Sequence, residues 1–125
     1  MAVNYRTTLK TTRMEDVRDD IDSGGGPGTV EICTAAFAAV LITFTVSDPA
    51  SSVATDTLTL LGMPKAANAS AGGTAAVARI KESGGAVVVN NLTVGTSGTD
   101  IIISNTTITN GAAYSLTAGT IVHAA

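Results

Sequence analysis

The stretch Asp19-Asp20-Ile21-Asp22-Ser23-Gly24-Gly25-Gly26-Pro27-Gly28-Thr29-Val30-Glu31-Ile32-Cys33-Thr34 divides the chain into two periodicities. Upstream of it, Leu9, Met14, Val17 and Ile21 fall close to one face at helical spacing, with charged residues elsewhere, which predicts a helix over 8–22. Thr12-x-x-Glu15 matches a capping box and would begin the regular helix near Arg13; a start near Thr8 would bring Leu9 into the apolar stripe. Asp19, Asp20 and Asp22 oppose the helix dipole at its C-terminal end. The run Ser23-Gly24-Gly25-Gly26-Pro27-Gly28 stops the helix and reads by composition as a hinge.

Downstream the residues are β-formers in short periods. Candidate strands lie at 29–34, 38–47, 55–61, 74–82, 86–90, 99–104, 106–109 and 113–122, separated by turn signals such as Asp48-Pro49, Gly62-Met63-Pro64 and Gly95 to Gly98. Arg79-Ile80-Lys81-Glu82, then Ser83-Gly84-Gly85, then Val87-Val88-Val89 reads as a hairpin, and Asn110-Gly111 is the favoured type I′ signal. Thr55, Thr57 and Thr59 alternate with Asp56, Leu58 and Leu60, as in a half-buried antiparallel strand. About eight short strands with closely spaced turns predict a mainly β fold, an antiparallel β-sandwich or jelly roll with one N-terminal α-helix. The organisation read from this is 1–22 arm and helix, 23–28 hinge and 29–125 β-sandwich domain.

The 125 residues include twenty Ala and twenty Thr but only four aromatic residues, Tyr5, Phe37, Phe44 and Tyr114. Small aliphatic side chains bury less area than rings, so a monomer of this composition is expected to be marginal and an oligomer is expected. A net charge of −3 argues against a basic nucleic-acid footprint, and the few rings give no stacking platform. No stretch approaches the length of a membrane span, and Met1 to Arg6 lacks the apolar run of a secretory signal, so a soluble protein made in a cytoplasm is expected.

Charge is the most uneven property of the chain. Residues 1–22 hold four basic and five acidic side chains, and after Glu82 the only formally charged side chain is Asp100. A free globular surface usually carries about a quarter or more charged residues. The second half shows Thr, Ser, Asn and Gly instead, which predicts a surface covered by partners or an uncharged polar skin.

Catalytic constellations are scarce. His123 is the single histidine, with no acid or nucleophile near it in sequence, and reads as a strand-end or interface residue. Cys33, the single cysteine, excludes a disulfide framework and reads as a small buried hydrophobe. The glycine run lacks the Lys-Ser/Thr of a phosphate loop and precedes a strand rather than a helix. Asp20-x-Asp22-x-Gly24-Gly25 with Glu31 partly mimics an EF-hand loop but has no exiting helix. The sequons at Asn68, Asn91 and Asn105 stand in a chain without a secretory signal and read as turn and strand composition. No catalytic residue, cofactor or metal is expected, and the chain is read as a non-enzyme.

The helix Leu9 to Asp22 running into Gly24-Gly25-Gly26-Pro27-Gly28-Thr29-Val30-Glu31-Ile32 resembles small virion proteins of tailed bacteriophages. Ala78-Arg79-Ile80-Lys81-Glu82-Ser83-Gly84-Gly85 and Leu92-Thr93-Val94-Gly95-Thr96-Ser97-Gly98-Thr99-Asp100-Ile101 are similar to them too. Such proteins look like head decoration, or cement, proteins. The resemblance implies jelly-roll subunits that form homotrimers on the outer capsid surface, bind the major capsid protein and stabilise the shell after synthesis in the bacterial cytoplasm. On that reading Arg6, Lys10, Arg13 and Arg18 are available for acidic patches on the capsid. Leu9, Met14, Val17 and Ile21 pack on the β-body or a neighbouring subunit, while Val87, Val88, Val89, Ile101, Ile102 and Ile103 form core or trimer interface. The alternatives are a tail, collar or fibre-associated virion protein, for which a repeated or fibrous segment is missing, and a carbohydrate-binding adhesin module, for which rings are too few.

Overall fold

The computed structural model describes residues 6–23, 26–47 and 51–122. One helix, α1 (Thr7–Ile21), precedes eleven strands: β1 (Thr29–Cys33), β2 (Val40–Thr45), β3 (Ser51–Ala54), β4 (Thr57–Leu60), β5 (Lys65–Asn68), β6 (Gly73–Thr74), β7 (Val77–Lys81), β8 (Val87–Gly95), β9 (Ile101–Ile103), β10 (Thr107–Ile108) and β11 (Ala113–Val122). The protein is mainly β, with one N-terminal helix and a curled, sandwich-like sheet.

The sheet runs β2-β1-β7-β8-β9-β11-β4-β3, with β5 also on β11 and β6 paired with β10 alone. Its strands alternate as a half-buried sheet requires: Val30 and Ile32 of β1, Ala78 and Ile80 of β7, and Leu58 and Leu60 of β4 are buried. β4 and β5 follow one another along the same edge of β11. Thr57 to Thr59 face Val122 to Thr120, and Lys65 to Asn68 face Leu116 to Ala113. Past β5, the Ser70 amide donates to the Leu41 carbonyl of β2 at 2.8 Å, which draws the two ends of the sheet together. The Tyr114 hydroxyl, at the start of β11, accepts from the Thr109 amide at 2.7 Å and donates to the Thr107 carbonyl at 3.2 Å. This local strap resembles the tyrosine corner of Greek-key sandwiches.

Several expectations are corrected. The β8–β9 pair is parallel, Val94 opposite Ile101 and Gly95 opposite Ile102, so the sheet is mixed rather than antiparallel throughout. Expected strand 74–82 is two elements, and expected strand 86–90 continues to Gly95. Neither β3 nor β5 was anticipated; Lys65-Ala66-Ala67-Asn68 has no β-branched residue and owes its extended state to pairing with β11. Thr55 is in a two-residue hairpin turn with Asp56 at φ +56°, a left-handed conformation unusual for a β-branched residue. Asn110-Gly111 forms a turn, but the strands it joins do not pair with each other: β10 pairs with β6. The β7–β8 hairpin is present where it was expected.

The capping box is not used. Arg6 is the N-cap without a side-chain cap, and the Thr12 hydroxyl donates to the Thr8 carbonyl at 3.0 Å instead. What holds α1 is tertiary. β9 pairs with β8 only at the last two residues of β8, Val94 and Gly95, so it is too short to join residues 87–92 of β8 to residues 120–122 of β11. α1 contacts β3, β4 and β8, the strands on either side of that gap. Met14 and Ile21 are 3% and 0% exposed within the common core, and Val17 packs against it. The Thr11 hydroxyl donates to the Thr55 carbonyl at 2.5 Å at one end, and the Ser83 hydroxyl to the Ser23 carbonyl at 3.1 Å at the other. A Cβ on Gly28 would come within 2.5 Å of the Lys81 carbonyl, so glycine is what lets the chain turn closely from α1 into β1. The helix thus packs on the β-body, and Gly24 and Gly25 of the glycine run lie outside the described residues. Leu9, at 37% exposed, does not pack on the β-body of its own chain.

Candidate interaction surfaces

The charge-poor half of the chain forms a surface with two carboxylates at its turns, and both are bound within the chain. Glu82 Oε1 accepts from the Ala86 amide at 2.8 Å, closing the β7–β8 turn. Asp100 Oδ2 accepts from the Thr93 amide at 3.1 Å, while the Asp100 amide donates to Thr93 Oγ1 at 3.0 Å. This reciprocal pair clamps the short loop that lets parallel β9 start beside the end of β8. The side chains left outward are uncharged, among them Asn90, Asn91, Ser97, Asn105 and Thr117. Val87 and Val122 stand out at 47% and 61% exposed.

The six residues expected in a core or interface divide by pleat. Ile101 and Ile103 are 0% and 1% exposed, whereas Ile102 points the other way and is half-buried. Val88 and Val89 pack against the core from partly buried positions. Val87 is not a core residue: it is the first residue of β8, beyond the register shifts of β8 against β7 on either side of Ile80, and is exposed.

A second surface lies on the outer face of β1 and β7. Glu31 Oε1 receives Arg79 Nε at 2.7 Å and Lys81 Nζ at 3.2 Å, and the Arg79 guanidinium lies 5.2 Å from the Phe37 ring centroid. Burial would raise the Glu31 carboxyl, but the hydrogen bonds and charges of Arg79 and Lys81 outweigh it and hold it below its ordinary 4.5. Cys33 is fully buried on this face, and burial pushes its thiol above the ordinary 9.0. A thiol in that setting disfavours the thiolate that nucleophilic chemistry needs. Glu31, the last oxygen donor of the EF-hand-like spacing, is engaged with two bases. His123 lies outside the described residues.

The third surface is the outer face of α1. Arg18 is held inside the helix, its Nη2 3.1 Å from Asp19 Oδ1 and 3.9 Å from Glu15 Oε2. Arg6 and Arg13 are exposed and Lys10 is half-buried. Sequence reasoning missed the β8–β11 gap and the carboxylate clamp at Asp100, because both depend on how far β9 extends.

Among the described residues there is no group of three or more His, Cys, Asp or Glu side chains placed to hold a metal ion, and no enclosed cavity. No described helix is long and apolar enough to cross a membrane. Comparisons with family models, curated proteins and solved structures give no match.

Proposed function

We propose that the protein is a non-enzymatic structural protein of a tailed-bacteriophage virion that binds the outside of the assembled capsid as a trimer and stabilises the shell. The observation that carries this reading is the charge-poor surface from Glu82 onward, whose two carboxylates, Glu82 and Asp100, each accept a hydrogen bond from a backbone amide of the chain. Such a surface presents hydroxyls, amides and a few apolar groups to a neighbour without the desolvation that charged side chains impose. The β-rich body and the resemblance of its sequence segments to decoration proteins support the same reading. Binding the assembled lattice but not free subunits would stabilise the shell by mass action, repeated over many equivalent sites.

Two measurements test it. Light scattering at low micromolar concentration is expected to give about 37 kDa, three times the chain mass of 12.4 kDa. Cosedimentation with phage heads lacking the protein is expected to show saturable binding, a rise in the temperature at which heads release DNA, and no binding to free capsid subunits. A 12.4 kDa monomer that ignores heads, or binding confined to tails, overturns the proposal.

A further inference from the structure

The outer face of β3, β4 and β11 is built from small uncharged side chains. Cross-strand register sets two rows on it: Ser52, Thr59 and Thr120 in one, and Ala54, Thr57 and Val122 in the next. Leu58 and Leu60, which alternate with these positions, are buried, and Ile121 packs against the core, so the pleat turns both rows outward. Ala118 and Ile102, opposite one another, continue the face onto β9. Ser52, Ala54, Thr59 and Val122 are exposed, as is Leu61 just past β4. α1 contacts β3 and β4 from the inner side, where Met14 and Ile21 share the core with Leu58 and Leu60, and it leaves those five residues uncovered.

Charge stands at the margins of this face and is engaged there. Asp56, in the β3–β4 turn, accepts from Thr57 Oγ1 at 3.2 Å, and Asp100, at the start of β9, accepts from the Thr93 amide. The outer face of β1 and β7 is different in kind, since Glu31, Arg79 and Lys81 lie on it. A surface that meets a different protein has no need to be neutral, because that protein can supply the opposite charge. A surface that lies against a rotation axis does need it: around the axis each side chain meets copies of itself, and a charge there faces its like at close range. Hydroxyls escape this conflict, because each can donate to and accept from its own copy. Ser52, Thr59 and Thr120 form a row of them, flanked by the small apolar groups of Ala54, Val122 and Ala118.

We infer that the outer face of β3, β4 and β11 lies against the axis of the oligomer, so that what covers it is a second copy of this chain. This rests on the proposed trimer and names the surface through which that trimer is made. The contact joins hydroxyls and aliphatic groups without ion pairs, so its strength is expected to change little with salt. Its strands are already held in register within the subunit, which leaves little backbone ordering to be done on association.

Placing a charge on the face tests this inference. Thr59→Lys and Val122→Lys, both at exposed positions, are made in the full chain, with Thr43→Lys, exposed on β2, as the control; each is checked by thermal unfolding. Should a face variant fail to fold, Ser52→Lys on the edge strand β3 takes its place. Each face variant is expected to weaken association about tenfold or more, because copies of the new lysine then oppose one another, while Thr43→Lys keeps the wild-type mass by light scattering. Raising the salt is expected to restore part of the lost association in the face variants, since it screens that repulsion, and to leave the wild-type oligomer unchanged. Folded face variants that keep the wild-type mass overturn the inference while leaving the trimer intact; if they also lose binding to phage heads, the face belongs to the capsid contact instead. A wild-type oligomer that dissociates as salt rises overturns it as well. A wild-type chain of 12.4 kDa overturns the trimer itself.

Discussion

Three consecutive isoleucines provide a sharp test of the fold, because the pleat makes them unequal. Ile101 and Ile103 are 0% and 1% exposed, while Ile102 lies on the opposite face and is half-buried. Ile101 is packed close to Gly119 of β11, where a Cβ would meet Leu60 as well as the Ile101 side chain, so the site has little room to collapse. Replacing a fully buried isoleucine with alanine costs about 2–5 kcal/mol, towards the upper end where the surroundings cannot close the cavity. Ile102→Ala removes a side chain that keeps part of its water contact and is expected to cost about 1 kcal/mol. For a domain with about 5–15 kcal/mol of stability, the two inner variants lose a large share of it and the middle one does not. Urea unfolding followed by circular dichroism, at several protein concentrations to separate folding from assembly, measures all three. A one-residue slip of β9 would exchange the inner and outer faces, so Ile102→Ala would become the severe variant. Equal losses at all three positions, or a dominant loss at Ile102 that does not depend on concentration, refute the register described here.

Three other outcomes follow from single groups. The folded-state pKa of Glu31 lies below its ordinary 4.5, so its contribution to stability is complete above that value and is lost as pH falls through the lowered one; Glu31→Gln is expected to flatten the acid limb of the stability–pH curve below about pH 4.5 relative to wild type. Asp100→Ala removes the acceptor for the Thr93 amide and is expected to cost about 1–2 kcal/mol in urea unfolding, with faster hydrogen exchange at Thr93. Tyr114→Phe deletes one acceptor and one donor from the β10–β11 strap and is expected to cost about 1 kcal/mol, with exchange at the Thr109 amide rising most.

The local chemistry of several elements was legible in the sequence. The helical spacing of Met14, Val17 and Ile21 locates α1, and the alternation around Leu58 and Leu60 identifies the buried face of β4. Leu9 belongs to the same spacing but is 37% exposed, because a helical stripe does not reveal which of its residues the rest of the chain covers. Thr12 and Glu15 match a capping box by type and spacing, but Thr12 is already one turn inside the helix and bonds back to Thr8. β5 was invisible for a different reason. Alanines carry little strand preference, and only the facing residues of β11, some fifty positions on, make them a strand. For the candidate surfaces, the absence of charge after Glu82 was readable. What the Asp100 carboxylate does there was not, because its partner Thr93 is defined by the parallel pairing of β8 and β9.

The position of α1 also bears on how an assembly of this chain would respond to its medium. The helix directs its fully buried side chains, Met14 and Ile21, into its own β-body, closing a gap that β9 leaves open. Its remaining face is polar and charged, apart from Leu9. A contact made through that face gains little from the hydrophobic effect and most from charge pairing and from being pre-ordered, and both exposed pairing and steering are screened by salt. A contact made through the uncharged surface of β8, β9 and β11 has the opposite character, since hydroxyls, amides and the exposed Val87 and Val122 respond little to ionic strength. Salt titration of the assembled state therefore distinguishes the two surfaces without a mutation: loss of association between low and physiological salt points to α1, and indifference to salt points to the strands.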